Sequence, residues 1–364
     1  MAPDNIRMLG CMNATENIFL SHVSALACWA VVGHRGLDDR TRTDMRYPST
    51  SVKNTTTILD LGLLQSKFMG MLPTPIDILV PSHKRTFKSD LVTCHLCTHD
   101  VPPGGFRRLT DHIYISSPEL TFVQLGTLLT DTQLALVGMM FCGTYAIAPN
   151  QGRELIERQP LATLESLQAM VDSCKGVRGV NVARKALKMC VEGSRSPRES
   201  LIFLLSCCKS SMGSYELARP SINRQIELKP TGAAIVGTRN LAPDLCWYNK
   251  NTLAEYDSWD NHNSPRKLAD DDLRMEAFRQ SGWNAITLRT KNVDYPDRFD
   301  RMVRCVLAPA IGASVPPMSM DFVRCRTQLR DEVMAFDPYA PPALARKKTK
   351  ELMAQRKAVG FVTQ

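Results

Sequence analysis

Between Ser196 and Arg289 the apolar positions change period in a way that spells out a run of elements. In "SPRESLIFLLSCC", Leu201, Leu204, Leu205 and Cys208 recur at the 0, 3, 4, 7 spacing of one buried helical face. "INRQIELKP", "LAPDLCW" and "TLAEYDS" then read as three strands. "KLADDDLRMEAFRQSG" reads as a helix stopped at Gly282, and "WNAITLR" as a last strand. The order is α-β-β-β-α-β, and a crossover helix before the final strand implies that this strand runs parallel to its neighbour.

Upstream the pattern is that of a mixed α/β region over residues 1–160. "ILDLGLLQSKFMG" suggests a helix, "IDILVPS" and "LVTCHLCTH" suggest strands, and "SSPELTFVQLGTLL" begins a helix with Ser117 as N-cap and Pro118 at its first position. Residues 161–193 read as a linking pair of short helices joined by the turn "KGVRG". The Vsr-like block described below spans 194–310, and 311–364 reads as a Pro-broken tail. That tail ends basic, with Arg346, Lys347, Lys348, Lys350, Arg356 and Lys357 against Glu351. A solvated tail and a contact to a phosphate backbone are both open readings of it.

Composition narrows the class. With 364 residues, 44% of them apolar and 22% charged, the chain can bury two cores, so two domains and a tail are expected. The net charge of +9 favours a polyanionic partner such as nucleic acid. The twelve cysteines do not fall into the framework of a small secreted domain, and free buried thiols are expected. The start lacks a signal-peptide pattern, and Asp131 interrupts the best apolar run, "FVQLGTLLTDTQLALVGMMF". A cytoplasmic protein with no membrane contact is the expectation.

The chemistry lies in "APDLCWYNKNTLAEYDSWDNH". If "YNKN" is the turn of a hairpin, Trp247 pairs with Thr252 and Asp244 falls opposite Glu255, on one face, with Asp257 two residues further along that face. Two opposed carboxylates repel, so one takes a proton unless a cation lies between them, and all-oxygen ligation favours magnesium or manganese. A one-residue slip in register would put the acids on opposite faces. A fourth acid, Glu199, also fits a capping box with Ser196. His262 is equally open as a surface residue or a proton shuttle, and Arg266 and Lys267 are candidate phosphate contacts. Asp270, Asp271 and Asp272 are placed near a helix start, where the helix dipole accounts for them.

These pieces in this order resemble the very-short-patch-repair (Vsr) type of endonuclease-like domain within the PD-(D/E)XK superfamily. The resemblance rests on "SPRES" opening the first helix, "PDLCW" on the second strand, "EYDS" on the third, the following His262, and "DDLRMEAFRQSGW". Asp271, Arg274, Phe278, Gly282 and Trp283 keep the family's spacing of acid, arginine, large apolar residue and Gly-Trp. It implies a restriction-endonuclease-like core with Glu199, Asp244 and Glu255 as the acidic active-site positions, Asp257 and His262 as further catalytic candidates, and a metal held by Asp244, Glu255 and the Tyr256 carbonyl. The family's usual lysine is replaced by Asp257, and Ser258 stands where glycine is common. Upstream, "FLSHVSALACWA", "IDILVPS", "IYISSPELTFVQLGTLL" and "GVRGVNVARKALKM" are similar to AbiEi-type abortive-infection antitoxin proteins.

The expected function is a metal-dependent endonuclease-like protein hydrolysing phosphodiester bonds in DNA, in bacterial defence or repair. A noncatalytic DNA-binding or antitoxin-type regulator, with a toxin or other protein as partner, is the alternative. Zinc at "TCHLCTH" is disfavoured, because Cys94 and Cys97 lack a second ligand pair. "GVRGVNVAR" follows a helix and so fails the context of a dinucleotide-binding loop.

Overall fold

The structure, a computed structural model, describes residues 17–33, 42–43, 62, 68, 70–87, 89–149, 152, 154–258, 265–340 and 342–358. The helix expected in "ILDLGLLQSKFMG" falls almost wholly outside them. The chain is a mixed α/β protein that divides into two compact units, residues 1–190 with 335–354 and residues 191–334 with 355–364. Among the described residues no helix is long and apolar enough to cross a membrane, and the cysteines are free thiols.

The first unit is built on a six-stranded sheet. Its strands are β1 (Ile18–Leu20), β2 (Arg42–Thr43), β3 (Ile76–Val80), β4 (Val92–Leu96), β5 (Phe106–Arg108) and β6 (Ile113–Ser116), in the order β2-β5-β6-β1-β3-β4. β1 runs parallel to β6 and antiparallel to β3, and β3 is parallel to β4. Strand β3, "IDILV", is buried at every position, as a strand covered on both faces requires.

Helix α1 (His22–Val32) leaves β1 directly and is almost wholly buried. α2 (Pro118–Leu125) starts as expected, with the Ser117 hydroxyl accepting from Leu120 N–H. The long apolar run then breaks at Thr130, which caps α3 (Asp131–Phe141), so Asp131 sits at a helix start instead of inside a span. A two-stranded ribbon, β7 (Tyr145–Ile147) and β8 (Leu155–Glu157), follows. The helix pair is α4 (Leu164–Ser173) and α5 (Val180–Leu187), and it packs within this unit, α4 on α2 and α5 on α3.

The second unit opens with α6 (Pro197–Cys207), whose Leu201, Leu204 and Leu205 are all buried. The stretch "INRQIELKP" is not one strand. It is split into β9 (Ser221–Ile222) and β10 (Ile226–Glu227), because Asn223 takes a left-handed φ of 50° that ends the first strand. A helix the apolar pattern did not announce, α7 (Pro230–Val236), comes next and packs on α8. After β11 (Asn240–Leu241), which pairs with β10, come β12 (Leu245–Trp247), β13 (Thr252–Asp257), α8 (Pro265–Gln280) and β14 (Asn284–Arg289).

The main sheet of this unit has the order β14-β13-β12-β9, with β13 and β14 parallel across the α8 crossover. Because α8 begins at Pro265, Asp270 to Asp272 lie beyond its first turn, out of the reach of the dipole that placed them near a helix start.

Short helices α9 (Thr290–Asp294), α10 (Pro296–Met302) and α11 (Ala308–Ile311) lead to α12 (Met320–Met334). The segment expected as a tail therefore carries α12 and α13 (Pro342–Ala358). Within the first unit, Thr349 donates to the Leu128 carbonyl.

Candidate active site on the hairpin of the second unit

The hairpin register sets the site. Trp247 pairs with Thr252, Cys246 with Leu253 and Leu245 with Ala254, so the next step outward puts Asp244 opposite Glu255. The turn is the four residues Tyr248–Asn251, closed by Asn251 in the left-handed region at φ 45°. Alternation places Asp244, Cys246, Leu253 and Glu255 on one face. Cys246 and Leu253 are buried there against Met275 and Phe278 of α8. The acids therefore lie one pair beyond the apolar cluster, on the face that α8 covers. A chain can place negative charge on a covered face because the cover brings its own cation.

That cation is Arg274. Its Nε donates to Glu255 Oε2 at 3.0 Å and its Nη2 to Oε1 at 3.2 Å, a forked ion pair. Nη2 also donates to the Ala242 carbonyl at 2.5 Å, and the guanidinium stands 5.3 Å from the centre of the Phe278 ring. The arginine is held in place from below by the core and from the side by the strand leading into Asp244.

Glu199 carries both roles that its sequence position left open. Ser196 Oγ accepts from Glu199 N–H at 3.2 Å and donates to Glu199 Oε1 at 2.8 Å, which caps α6. The reciprocal backbone contact falls one residue earlier than in a capping box, where Arg195 N–H donates to Glu199 Oε2 at 2.9 Å. The same oxygen accepts from Asn223 Nδ2 at 2.5 Å. Asn223 in turn gives its backbone N–H to the Pro243 carbonyl at 3.0 Å, with Asp244 O at 3.3 Å. One asparagine thus ties Glu199 to the entry of β12, while its own Oδ1 is buried without a partner.

The electrostatics follow from this gathering. Burial, and then the neighbouring charge of Glu199, push Asp244 up to about 7. Burial, and then Asp244, push Glu255 up to about 7, against the pull of Arg274. Burial raises Glu199 as well, offset in part by the Arg195 N–H, Ser196 and Asn223. Asp244 Oδ2 accepts from Tyr256 N–H at 2.7 Å, which fixes the carboxylate against β13. Near neutral pH the Asp244–Glu255 pair is poised between holding a proton and exchanging it for a cation.

Glu199, Asp244, Glu255 and Tyr256 are therefore brought together. Asp257 is the last residue of β13, half-buried and paired in register with Arg289, and its carbonyl accepts from Thr290 Oγ1 at 3.4 Å. His262 lies outside the described residues, as do the side chains of Arg266 and Lys267.

Among the described residues no group of three or more His, Cys, Asp or Glu side chains is gathered to hold a metal ion, either here or at "TCHLCTH". Spacing gave no sign of Asn223 or Arg195 at this site. Arg274 was visible in the sequence only as part of a spacing pattern, not as the partner of Glu255. No family model, no curated protein and no solved structure matches this chain.

Proposed function

We propose that this protein is a metal-dependent endonuclease-like hydrolase of phosphodiester bonds in DNA, acting through Glu199, Asp244 and Glu255. The observation that carries the reading is the opposition of Asp244 and Glu255 on neighbouring strands, both titrating near neutral pH. The arrangement α6, β9, β12, β13, α8, β14, with its last two strands parallel, supports a restriction-endonuclease-like core of the Vsr type.

The donor set fits a hard divalent cation in part. Two carboxylates and a main-chain carbonyl suit magnesium or manganese, which accept one or two protein carboxylates and fill the remaining positions with water and substrate phosphate. They do not make a closed cage of the kind zinc takes. Asp244, Glu255 and the Tyr256 carbonyl would hold the ion, and when bound it would supply a water of lowered pKa and a charge facing the phosphate.

The chain's own groups do the rest. Glu199, anchored by Ser196 and Asn223, adds negative charge beside Asp244 and keeps that carboxylate ready for a cation. Arg274 stands where a lysine two residues after Glu255 would otherwise stabilise charge, and its fork can pass from Glu255 to a phosphate oxygen. His262 and Asp257 follow in the chain as candidates for proton transfer.

One observation favours the alternative, a noncatalytic DNA-binding or AbiEi-like regulator that retains the nuclease-like fold. Arg274 already neutralises Glu255, so the site is stable without a metal. A supercoiled-plasmid nicking assay with magnesium or manganese separates the two readings. Hydrolysis that Glu255→Ala and Asp244→Ala abolish supports the nuclease. DNA binding with no cleavage under either ion gives the regulator.

A further inference from the structure

The first unit contains a cavity of about 470 Å³, within the range of small-molecule sites. It uses the motif "TCHLCTH", which the nuclease reading leaves unassigned. His22, His95 and Gln124 line it together with the thiols of Cys94, Cys97 and Cys174.

The polar end is built with care. β3 and β4 are parallel with Asp77 opposite Thr93, so His95, two residues on, shares the face of Asp77. Asp77 is 0% and His95 6% exposed, and Asp77 Oδ1 lies 2.7 Å from His95 Nε2. Asp77 Oδ2 accepts from the N–H groups of Val23 at 3.1 Å and Ser24 at 3.3 Å, in the first turn of α1. The carboxylate has both oxygens engaged, so its work is to orient the imidazole.

His22 lies over that ring, 3.6 Å between centroids and 18° from parallel. It reaches this position only with a φ of 46°, the left-handed region that side chains avoid. Gln124 Oε1 accepts its N–H at 3.3 Å, and Ser21 Oγ lies 2.9 Å from its Nδ1. A strained residue held by its surroundings and facing a cavity is a mark of a ligand clamp.

We propose that this cavity is a binding site for a small organic acid, whose anionic head meets the imidazoles of His22 and His95 and whose apolar body rests on the thiols and Leu120. The head is anionic because the carboxylate behind His95 is already occupied by donors and the groups turned to the cavity are donors themselves. With Gln124 Oε1 taken by His22, the end of that amide left for a ligand is its NH₂. The thiols form an apolar wall: burial raises Cys94 and Cys97 and pushes Cys174 up to about 11, which keeps them neutral.

The test is calorimetric titration of the full chain with hexanoate, phenyl phosphate and, as the neutral control, hexan-1-ol. Histidine ring NMR resonances are followed in parallel. Saturable binding of either acid, with shifts at His22 and His95 and no binding of the alcohol, is expected. Which acid binds separates a carboxylate from a phosphate head.

His95→Asn should weaken binding by about tenfold or more, and Thr127→Trp, at a half-buried wall residue outside the Asp77–His95 pair, should abolish it. The wild-type ring shifts decide the matter if His95→Asn does not fold. No saturable binding of either acid overturns the proposal. So do equal binding of the alcohol, shifts confined to other histidines, or undiminished binding by a folded Thr127→Trp variant.

Discussion

Arg274 grips both oxygens of Glu255, at 3.0 and 3.2 Å, from a helix that begins eight residues after that strand ends. The two side chains are 28% and 16% exposed, so each would be a poorly solvated charge without the other. Arg274→Ala should lower the unfolding free energy at pH 8 by about 2 kcal/mol. Arg274→Lys should recover only part of this, because an ammonium cannot make the fork. Denaturant unfolding of the two variants measures it, and wild-type stability for Arg274→Ala would show that Glu255 is balanced by some other group.

The raised pKa values of Asp244 and Glu255, each near 7, give stability a definite pH dependence. Both folded values lie above the ordinary carboxylate range near 4. Between about pH 4 and 7 the folded state therefore holds protons that the unfolded chain has released. The stabilisation is complete below pH 4 and is lost as pH rises through 7.

Unfolding free energy should fall by about 1–3 kcal/mol from pH 5 to pH 8 on this account. Asp244→Asn should flatten the fall and be the more stable protein at pH 8. Manganese at pH 8 should restore wild-type stability and leave Asp244→Asn unchanged. A wild-type curve already flat over this range would mean that the pair is ionised and compensated throughout.

How much of this was legible depends on what each residue answers to. The register of Asp244 and Glu255 could be counted from the sequence because the Asn-containing turn Tyr248–Asn251 fixes where the hairpin closes, and a period of two then fixes the face. The crossover helix and the parallel last strand followed from element order alone.

Asn223 was invisible because a single left-handed residue inside "INRQIELKP" leaves the alternation intact on paper while splitting the strand in space. Helix α7 was missed because its seven residues, Pro230–Val236, are too few to show a period. Arg274 could not be paired with Glu255 because the contact crosses from helix to strand, where spacing gives no distance. Residues 342–358 read as tail because basic, Pro-flanked sequence resembles solvent-facing chain, and only tertiary contacts such as Thr349 to Leu128 tie the helix down.

Asn223 offers a test of positioning apart from backbone strain. Its φ of 50° suits glycine, and its Nδ2 donates to Glu199 and to the Gly193 carbonyl. Asn223→Gly keeps the backbone and removes the tether, and should cost about 1 kcal/mol. Asn223→Ala adds the left-handed penalty of about 1 kcal/mol more. Under the nuclease reading both variants should lose nicking activity to a similar degree, because both release Glu199. Unequal loss, tracking stability instead, would reduce Asn223 to a turn residue.

The last prediction concerns the docking of the helix pair in the first unit. Gly126 ends α2 and Gly179 caps α5, and the two backbones cross so closely that side chains are excluded. A Cβ on Gly126 would stand 2.4 Å from the Gly179 carbonyl oxygen, and one on Gly179, at φ +90°, would stand 2.3 Å from the Val123 carbonyl oxygen. Neither neighbour is a flexible side chain that can turn away, so the helices must separate. Gly126→Ala and Gly179→Ala should each destabilise by about 2–3 kcal/mol. The double variant should cost clearly less than the sum, because the first substitution already opens the shared contact. Gly176, at φ +75° in the same turn, has open space where its Cβ would be, so Gly176→Ala should cost only about 1 kcal/mol through backbone strain. Thermal unfolding of the four variants measures this. Equal losses at Gly176 and Gly179 would show that conformation, not the close crossing, requires the glycines.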